Sequence, residues 1–243
     1  MRQGTNEMRE IAVLWVEEDI LAVDKPAGMV SSPRWVDDDA CLPALLERMG
    51  YGRLFIVHRL DKAVSGVMLY ARHRQAHAHL SRQFSQRRVR KTYTALVHGE
   101  LERSSGLIER PIRQFGSGRM GVDARHGVAC LTRFERLRRL AGYTLLRVVP
   151  HTGRRHQIRV HLYSIGHAVV GDLRYGDRVL QSRYPRLMLH SSAIDFASLS
   201  GEIHMVESAL PLEFSRVLRE LNAGQVIEGG GGSSPPEQFG GRK

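Results

Sequence analysis

Apolar positions along this chain fall into short runs broken by charged or glycine-rich segments, a spacing that suits strands more often than long helices. Residues 11–16 (Ile-Ala-Val-Leu-Trp-Val) and 20–23 (Ile-Leu-Ala-Val) predict two strands joined across Glu17-Glu18-Asp19. Asp24-Lys25-Pro26-Ala27-Gly28 follows as a turn cluster, since Pro fixes φ and Gly frees it. Leu54-Phe55-Ile56-Val57 and Val67-Met68-Leu69-Tyr70 predict buried strands on either side of a polar break. Further strands are expected at 91–98, 128–137, 143–149, 168–171, 187–190 and 203–206.

Helical spacing is rarer. Leu42, Leu45, Leu46 and Met49 repeat with it until Gly50 ends the run, and Ala76, Leu80 and Phe84 form the stripe of a second helix. A third is expected to start at Thr152-Gly153, with Ile158, Leu162 and Ile165 on one face and Arg155, His156 and Arg159 opposite. A last one follows Pro211 with Leu212, Val217, Leu218 and Leu221, while 106–127, with Pro111 and Gly116-Ser117-Gly118, reads as loop. Helices are too few to join every strand pair. The fold class is therefore α/β of the α+β type, one domain with a mixed, mainly antiparallel sheet flanked by helices and loops.

At 243 residues the chain suits one sizeable core, placed at 11–222 between a polar tail at 1–10 and a Gly/Ser/Pro-rich tail at 223–243. Apolar content of 42% and charged content of 25% are those of an ordinary globular protein. No run of about 18 apolar residues is present and the first residues hold no signal-peptide core. Cys41 and Cys130 fit neither a metal spacing nor a disulfide framework. The expectation is a cytoplasmic monomer with reduced thiols and no membrane contact.

Charge changes that picture. Lys and Arg number 36 against 25 acids, a net +11 with a pI near 10.3. Such a surplus suits a polyanion, because neutralising phosphates releases condensed counterions. Arg predominates, and it is the better bidentate phosphate ligand. The bland alternative is a soluble basic surface that binds nothing in particular.

Three segments carry candidate chemistry. His58-Arg59-Leu60-Asp61 precedes a Ser65-Gly66 pair; Arg90-Lys91-Thr92-Tyr93 opens a strand; Thr152-Gly153-Arg154-Arg155-His156-Gln157-Ile158-Arg159 opens a helix. Each has a dull reading: Asp61 as a turn residue, Tyr93 as a core aromatic, Arg155 and Arg159 as an i, i+4 pair on a solvated face. Histidines 151, 156 and 161 are spaced by five, about 140° apart on a helix, so one metal could not gather them from a regular helix. His73 and His77 lack the Glu and third ligand of a zinc-protease motif. No metal and no cofactor are expected.

Together these segments resemble the RluA family of RNA pseudouridine synthases. The resemblance rests on His58 to Asp61 with Ser65-Gly66, the D-K-P-x-G element at Asp24 to Gly28, and the K-x-Y of Lys91 and Tyr93. It continues through T-G-R-x-H-Q-I-R-V-H-L at Thr152 to Leu162, G-D-x-x-Y-G at Gly171 to Gly176, and Leu187-Met188-Leu189-His190. The matches run in order over about residues 11–207. Val64 departs, standing where the family usually has Thr, so one local hydroxyl bond is lost. An S4 domain ahead of the catalytic domain is not expected, and Trp35 to Asp39 resembles the tRNA-directed branch only faintly.

The resemblance implies an isomerase that breaks a uridine's N-glycosidic bond in tRNA or rRNA, rotates the uracil and rejoins it through carbon 5. Asp61 is then the catalytic carboxylate, as glycosyl transfer requires. Arg159 is its charge partner and Tyr93 stacks on the target base, its hydroxyl available to assist proton removal at carbon 5. Arg59 fills the space vacated by an extruded nucleotide. His58, Arg87, Arg88, Arg90, Lys91, Arg155 and His156 complete the RNA-facing set. The competing classes are an RNA-binding protein without activity and a hydrolytic N-glycosylase that frees the base.

Overall fold

The computed structural model describes residues 11–32 and 41–223. The expected tails, apart from residue 223, and the Trp35 to Asp39 segment lie outside the described residues.

Strands β1 (Ala12–Val16) and β2 (Ile20–Lys25) form the expected hairpin. β3 is only Phe55–Ile56, while β4 spans Ser65–Ala71 and is buried at every position, which explains its unbroken apolar run. The remaining large strands are β5 (Arg90–His98), β9 (Thr132–Leu140), β10 (Tyr143–Pro150) and β11 (Leu189–Ala197), with β12 (Ile203–Glu207) paired to β11. Residues 105–122, read as loop, carry three short strands: β6 (Ser105–Ile108), β7 (Ile112–Gln114) and β8 (Met120–Val122). They are three or four residues long, too short for an alternation to show. Residues 168–171 go the other way, making one isolated bridge, Val97 to Val169, instead of a strand.

Among the described residues the main sheet runs β1-β2-β4-β11-β5-β10-β9-β6. Only β4 and β11 pair in parallel; the other pairings are antiparallel, as expected. That parallel pair is a seam between two halves. On one side, α1 (Leu42–Leu46) packs Leu42 and Leu46 on Val23 and Tyr70, and α2 (Arg74–Ser85) packs Ala76 and Leu80 on the opposite face against Leu69 and Phe196. On the other, α3 (Gln157–Ser164) sets Ile158 and Leu162 against Ala95, Leu146 and Val148. α5 (Leu212–Asn222) covers the reverse face with Phe214, Val217 and Leu221; a single turn, α4 (Arg178–Gln181), precedes it. Each such fully buried Leu or Phe contributes about 1.5–3 kcal/mol, so the halves are firm and the seam is where geometry is negotiated.

Two features bind the seam. Gly66 has φ 113°, and a Cβ there would lie 2.2 Å from the Ser191 carbonyl oxygen, so only glycine lets β4 approach β11. Beside it Ser65 Oγ lies 2.8 Å from His190 Nδ1 and accepts from Arg186 Nη2 at 2.6 Å. The Ser-Gly pair and the late Leu-x-Leu-His element are thus two sides of one contact.

Candidate active site

Asp61 sits in the turn that leads into β4, at the seam. Backbone N–H of Val64 donates to Asp61 O at 3.0 Å, so the turn reading of this residue holds as geometry. The Asp24 to Gly28 element braces the turn from below. Gly28 N–H donates to Lys62 O at 2.7 Å, and the fully buried Lys25 donates through Nζ to Pro26 O and Met29 O at 2.9 Å and to Lys62 O at 3.3 Å. Burial and then the Arg186 charge lower the Lys25 pKa to about 7, against the opposing pull of Asp61 and Asp24. Ser31, buried nearby, donates to Leu60 O at 2.7 Å and accepts from Leu60 N. Val64, where a hydroxyl was missed, is buried with Leu60 and Tyr93 in an apolar cluster.

α3 starts later than the sequence suggested. His156 adopts a left-handed backbone (φ 56°, ψ 18°), so the helix begins at Gln157, and residues 152–155 form a loop instead of a first turn. Gln157 fixes that loop: its Oε1 accepts from Thr152 Oγ1 at 2.6 Å and Arg154 N at 3.0 Å, while its Nε2 donates to Leu131 O and Thr132 Oγ1. Consequently Arg159 is not on a solvated face. It is buried, with its guanidinium pointed at two carboxylates.

Arg159 Nη1 donates to Asp61 Oδ2 at 2.9 Å, joining residues 98 apart in sequence. Its Nε and Nη2 donate to Asp172 Oδ2 and Oδ1, each at 2.7 Å, in a two-point fork. Asp172 Oδ1 also accepts from the backbone N–H groups of Arg174 and Tyr175 at 3.0 and 3.1 Å. Burial disfavours the Arg159 charge, yet the hydrogen bonds and charges of Asp172 and then Asp61 outweigh it and raise its pKa. Asp172 and Tyr175 belong to the G-D-x-x-Y-G element, which the sequence displayed without disclosing a role.

A cleft of ≈ 460 Å³ opens above this pair, lined by Asp61, Arg159, Tyr93, His156, Arg59, His58, Arg87 and Lys91 among the expected residues. Arg154 and His151 line it too, although neither was in the RNA-facing set that the resemblance implied. Tyr93 is buried; burial and then the Asp61 charge push its phenol pKa upward, against a hydrogen bond to Ser191.

Arg59 and Arg87 are exposed at the rim. Lys91 is half-buried, with a pKa lowered by burial. Three expected residues stand off from the cleft. Arg90 lines a neighbouring groove shared with Arg87, Arg88 is exposed outside both, and Arg155 donates to Gln114 of β7 at 3.3 Å. His58, expected to face RNA, is used inward: its Nε2 accepts from Leu69 N–H at 2.9 Å and its ring stacks on Phe84 at 4.8 Å. Burial, then the Lys91 charge, lowers its pKa to about 3. His161 is buried between Thr132 Oγ1 and Arg110 O.

Residues 19–164 match the family model described as RNA pseudouridylate synthase. An uncharacterized RNA pseudouridine synthase of Aquifex aeolicus is 39% identical over 81% of this chain, which spans 62% of that relative's length. The dual-specificity RNA pseudouridine synthase RluA of Vibrio vulnificus is 35% identical, the match covering 76% of each chain. Among solved structures, human RNA pseudouridylate synthase domain containing 4 superposes with a TM-score of 0.73 at 26% identity, covering 86% of this chain and 92% of that one. The seam, the paired Asp61 and Arg159 and these likenesses agree: the chain belongs to the RNA pseudouridylate synthase family, with RluA among its relatives.

Proposed function

We propose that this protein isomerises uridine to pseudouridine in tRNA or rRNA, with Asp61 as the catalytic carboxylate. The observation that carries the reading is the Asp61–Arg159 pair, 2.9 Å long, at the floor of a cleft rimmed by Arg59, Arg87 and Lys91. A carboxylate in that position can trap or stabilise an electron-poor sugar as the glycosidic bond opens. Arg159 fixes its direction, and Asp172 fixes Arg159.

The cleft's ≈ 460 Å³ suits one nucleoside and not a duplex, so the target uridine leaves its stack to enter. Tyr93 then offers its ring to the uracil. Arg59, exposed next to the catalytic turn, can place its planar guanidinium in the vacated space. Arg87, Arg88, Arg90 and Lys91 follow one another from the end of α2 into β5 and supply a run of positive charge for the backbone. The described residues include no helix long and apolar enough to cross a membrane.

The test is chemical. Purified protein is incubated with transcribed tRNA and rRNA, and the products are digested to nucleosides. Pseudouridine without free uracil is expected; free uracil would make the protein a glycosylase, and unchanged RNA a binding protein.

A further inference from the structure

Among the described residues, Arg87 and His156 are the non-glycines with a left-handed backbone, at φ 58° and 56°, and both line the cleft. That conformation is sterically unfavourable for a residue with a Cβ and persists where the surroundings impose it. At His156 the surroundings are specific. The side chain is 10% exposed, its Nδ1 lies 2.8 Å from Tyr175 Oη, and its Nε2 lies 3.7 Å from Asp61 Oδ2.

The protons can be placed by counting donors. Tyr175 Oη already accepts from the Met120 N–H at 3.3 Å, so its own proton is free to go to His156 Nδ1. A neutral imidazole that accepts at Nδ1 carries its proton on Nε2. The ring is indeed held neutral: burial lowers its pKa to about 4, helped by Arg159, Arg155 and Arg174 and opposed by Asp61. An N–H donor therefore faces the carboxylate oxygen that Arg159 already holds. At 3.7 Å it falls short of a hydrogen bond, and such contacts commonly tighten when substrate binds. Asp61 Oδ1 forms no hydrogen bond among the described residues.

We infer that His156 is a positioning residue for Asp61: with RNA in the cleft its Nε2–H closes on Oδ2 beside Arg159, leaving Oδ1 as the oxygen that reacts. The inference rests on Asp61 being the catalytic carboxylate, as proposed above. Tyr175 acts one step further back, fixing the tautomer.

Three variants separate this role from space-filling against Tyr175, whose ring meets that of His156 edge-on at 5.6 Å. His156→Phe keeps a ring and loses both nitrogens; His156→Gln keeps an N–H of similar reach; Tyr175→Phe keeps the packing and removes the proton that selects the tautomer. Single-turnover rates and RNA affinities are measured for each. His156→Phe is expected to slow the step about 10- to 100-fold, the span of one charge-assisted hydrogen bond, with affinity within about 2-fold. His156→Gln should recover most of the rate, and Tyr175→Phe should fall between.

A His156→Phe rate within about 2-fold of wild type overturns the inference. So does a His156→Gln variant as slow as His156→Phe, or a loss confined to RNA affinity. Nitrogen-15 spectra of histidine-labelled wild type give a reading that needs no variant to fold. An Nε2–H tautomer at pH 7 is expected, and an Nδ1–H or doubly protonated ring overturns the assignment. A wild type that forms no pseudouridine removes the earlier reading and this one with it. An active wild type with an unimpaired His156→Phe removes this one alone.

Discussion

Arg159 holds two carboxylates, and they lead different lives. Asp172 is wholly buried, bound at two points and by two backbone N–H groups as well. Asp61 takes a single bond from the same guanidinium, keeps 26% of its side chain exposed and, among the described residues, has no hydrogen bond at Oδ1. The difference separates support from chemistry. A fully buried carboxylate held by four hydrogen bonds can aim its partner but meets no substrate, whereas a part-exposed one at the floor of a cleft can react.

The largest expected effect breaks that comparison at its reactive end. Asp61→Asn preserves shape and removes the charge, so turnover should fall by at least about 10³-fold while RNA affinity, measured by filter binding, stays near wild type. Normal turnover in this variant would take Asp61 out of the mechanism. Stability should respond in the opposite order. Asp172→Ala leaves a buried guanidinium without its fork and should cost about 3–5 kcal/mol in urea unfolding, whereas Asp61→Ala, part-exposed and singly bonded, should cost about 1 kcal/mol or less. Equal losses would mean the two carboxylates are not divided as described.

A smaller effect follows from His58, whose Nε2 accepts a backbone N–H and cannot do so once protonated. Its pKa is lowered from 6.5 to about 3 in the folded protein, so between those values the unfolded chain binds the proton first. Stability from this group is full above pH 6.5 and declines as the pH falls toward 3, by up to about 1.4 kcal/mol per unit. His58→Gln should flatten the decline in urea midpoints measured between pH 7 and 4; an unchanged slope would deny His58 its inward role. The smallest effect lies at the rim. Arg87→Ala should weaken RNA binding uniformly across sequences and reduce the salt slope by about 0.7–0.9 for one lost phosphate contact. A sequence-dependent loss would make Arg87 a base reader.

Much of this was legible in residue order. The hairpin of β1 and β2, the fully buried β4, the stripe of α2 and the closing helix α5 each carry a period long enough to declare itself. The short strands of 105–122 carry too few residues for a period, and the apolar run at 168–171 looked like a strand because burial, not pairing, makes a run apolar. α3 was misplaced by a turn because nothing local announces that His156 has a positive φ. His58 was legible as part of the motif and illegible as a post for Leu69, which lies eleven residues on.

What the sequence determined by itself was the class of fold, the basic surface and the membership of Asp61, Tyr93 and Arg159 in one site. Those follow from local spacing, composition and ordered motifs, all of which survive without coordinates. Only the tertiary structure decided which charges oppose which. Asp61 and Asp172 meet on Arg159 because β4 and β11 run parallel at a glycine seam, and a left-handed residue starts α3 where it does. Ion pairs between residues 98 apart obey distance and burial, and neither is written in the order of the chain.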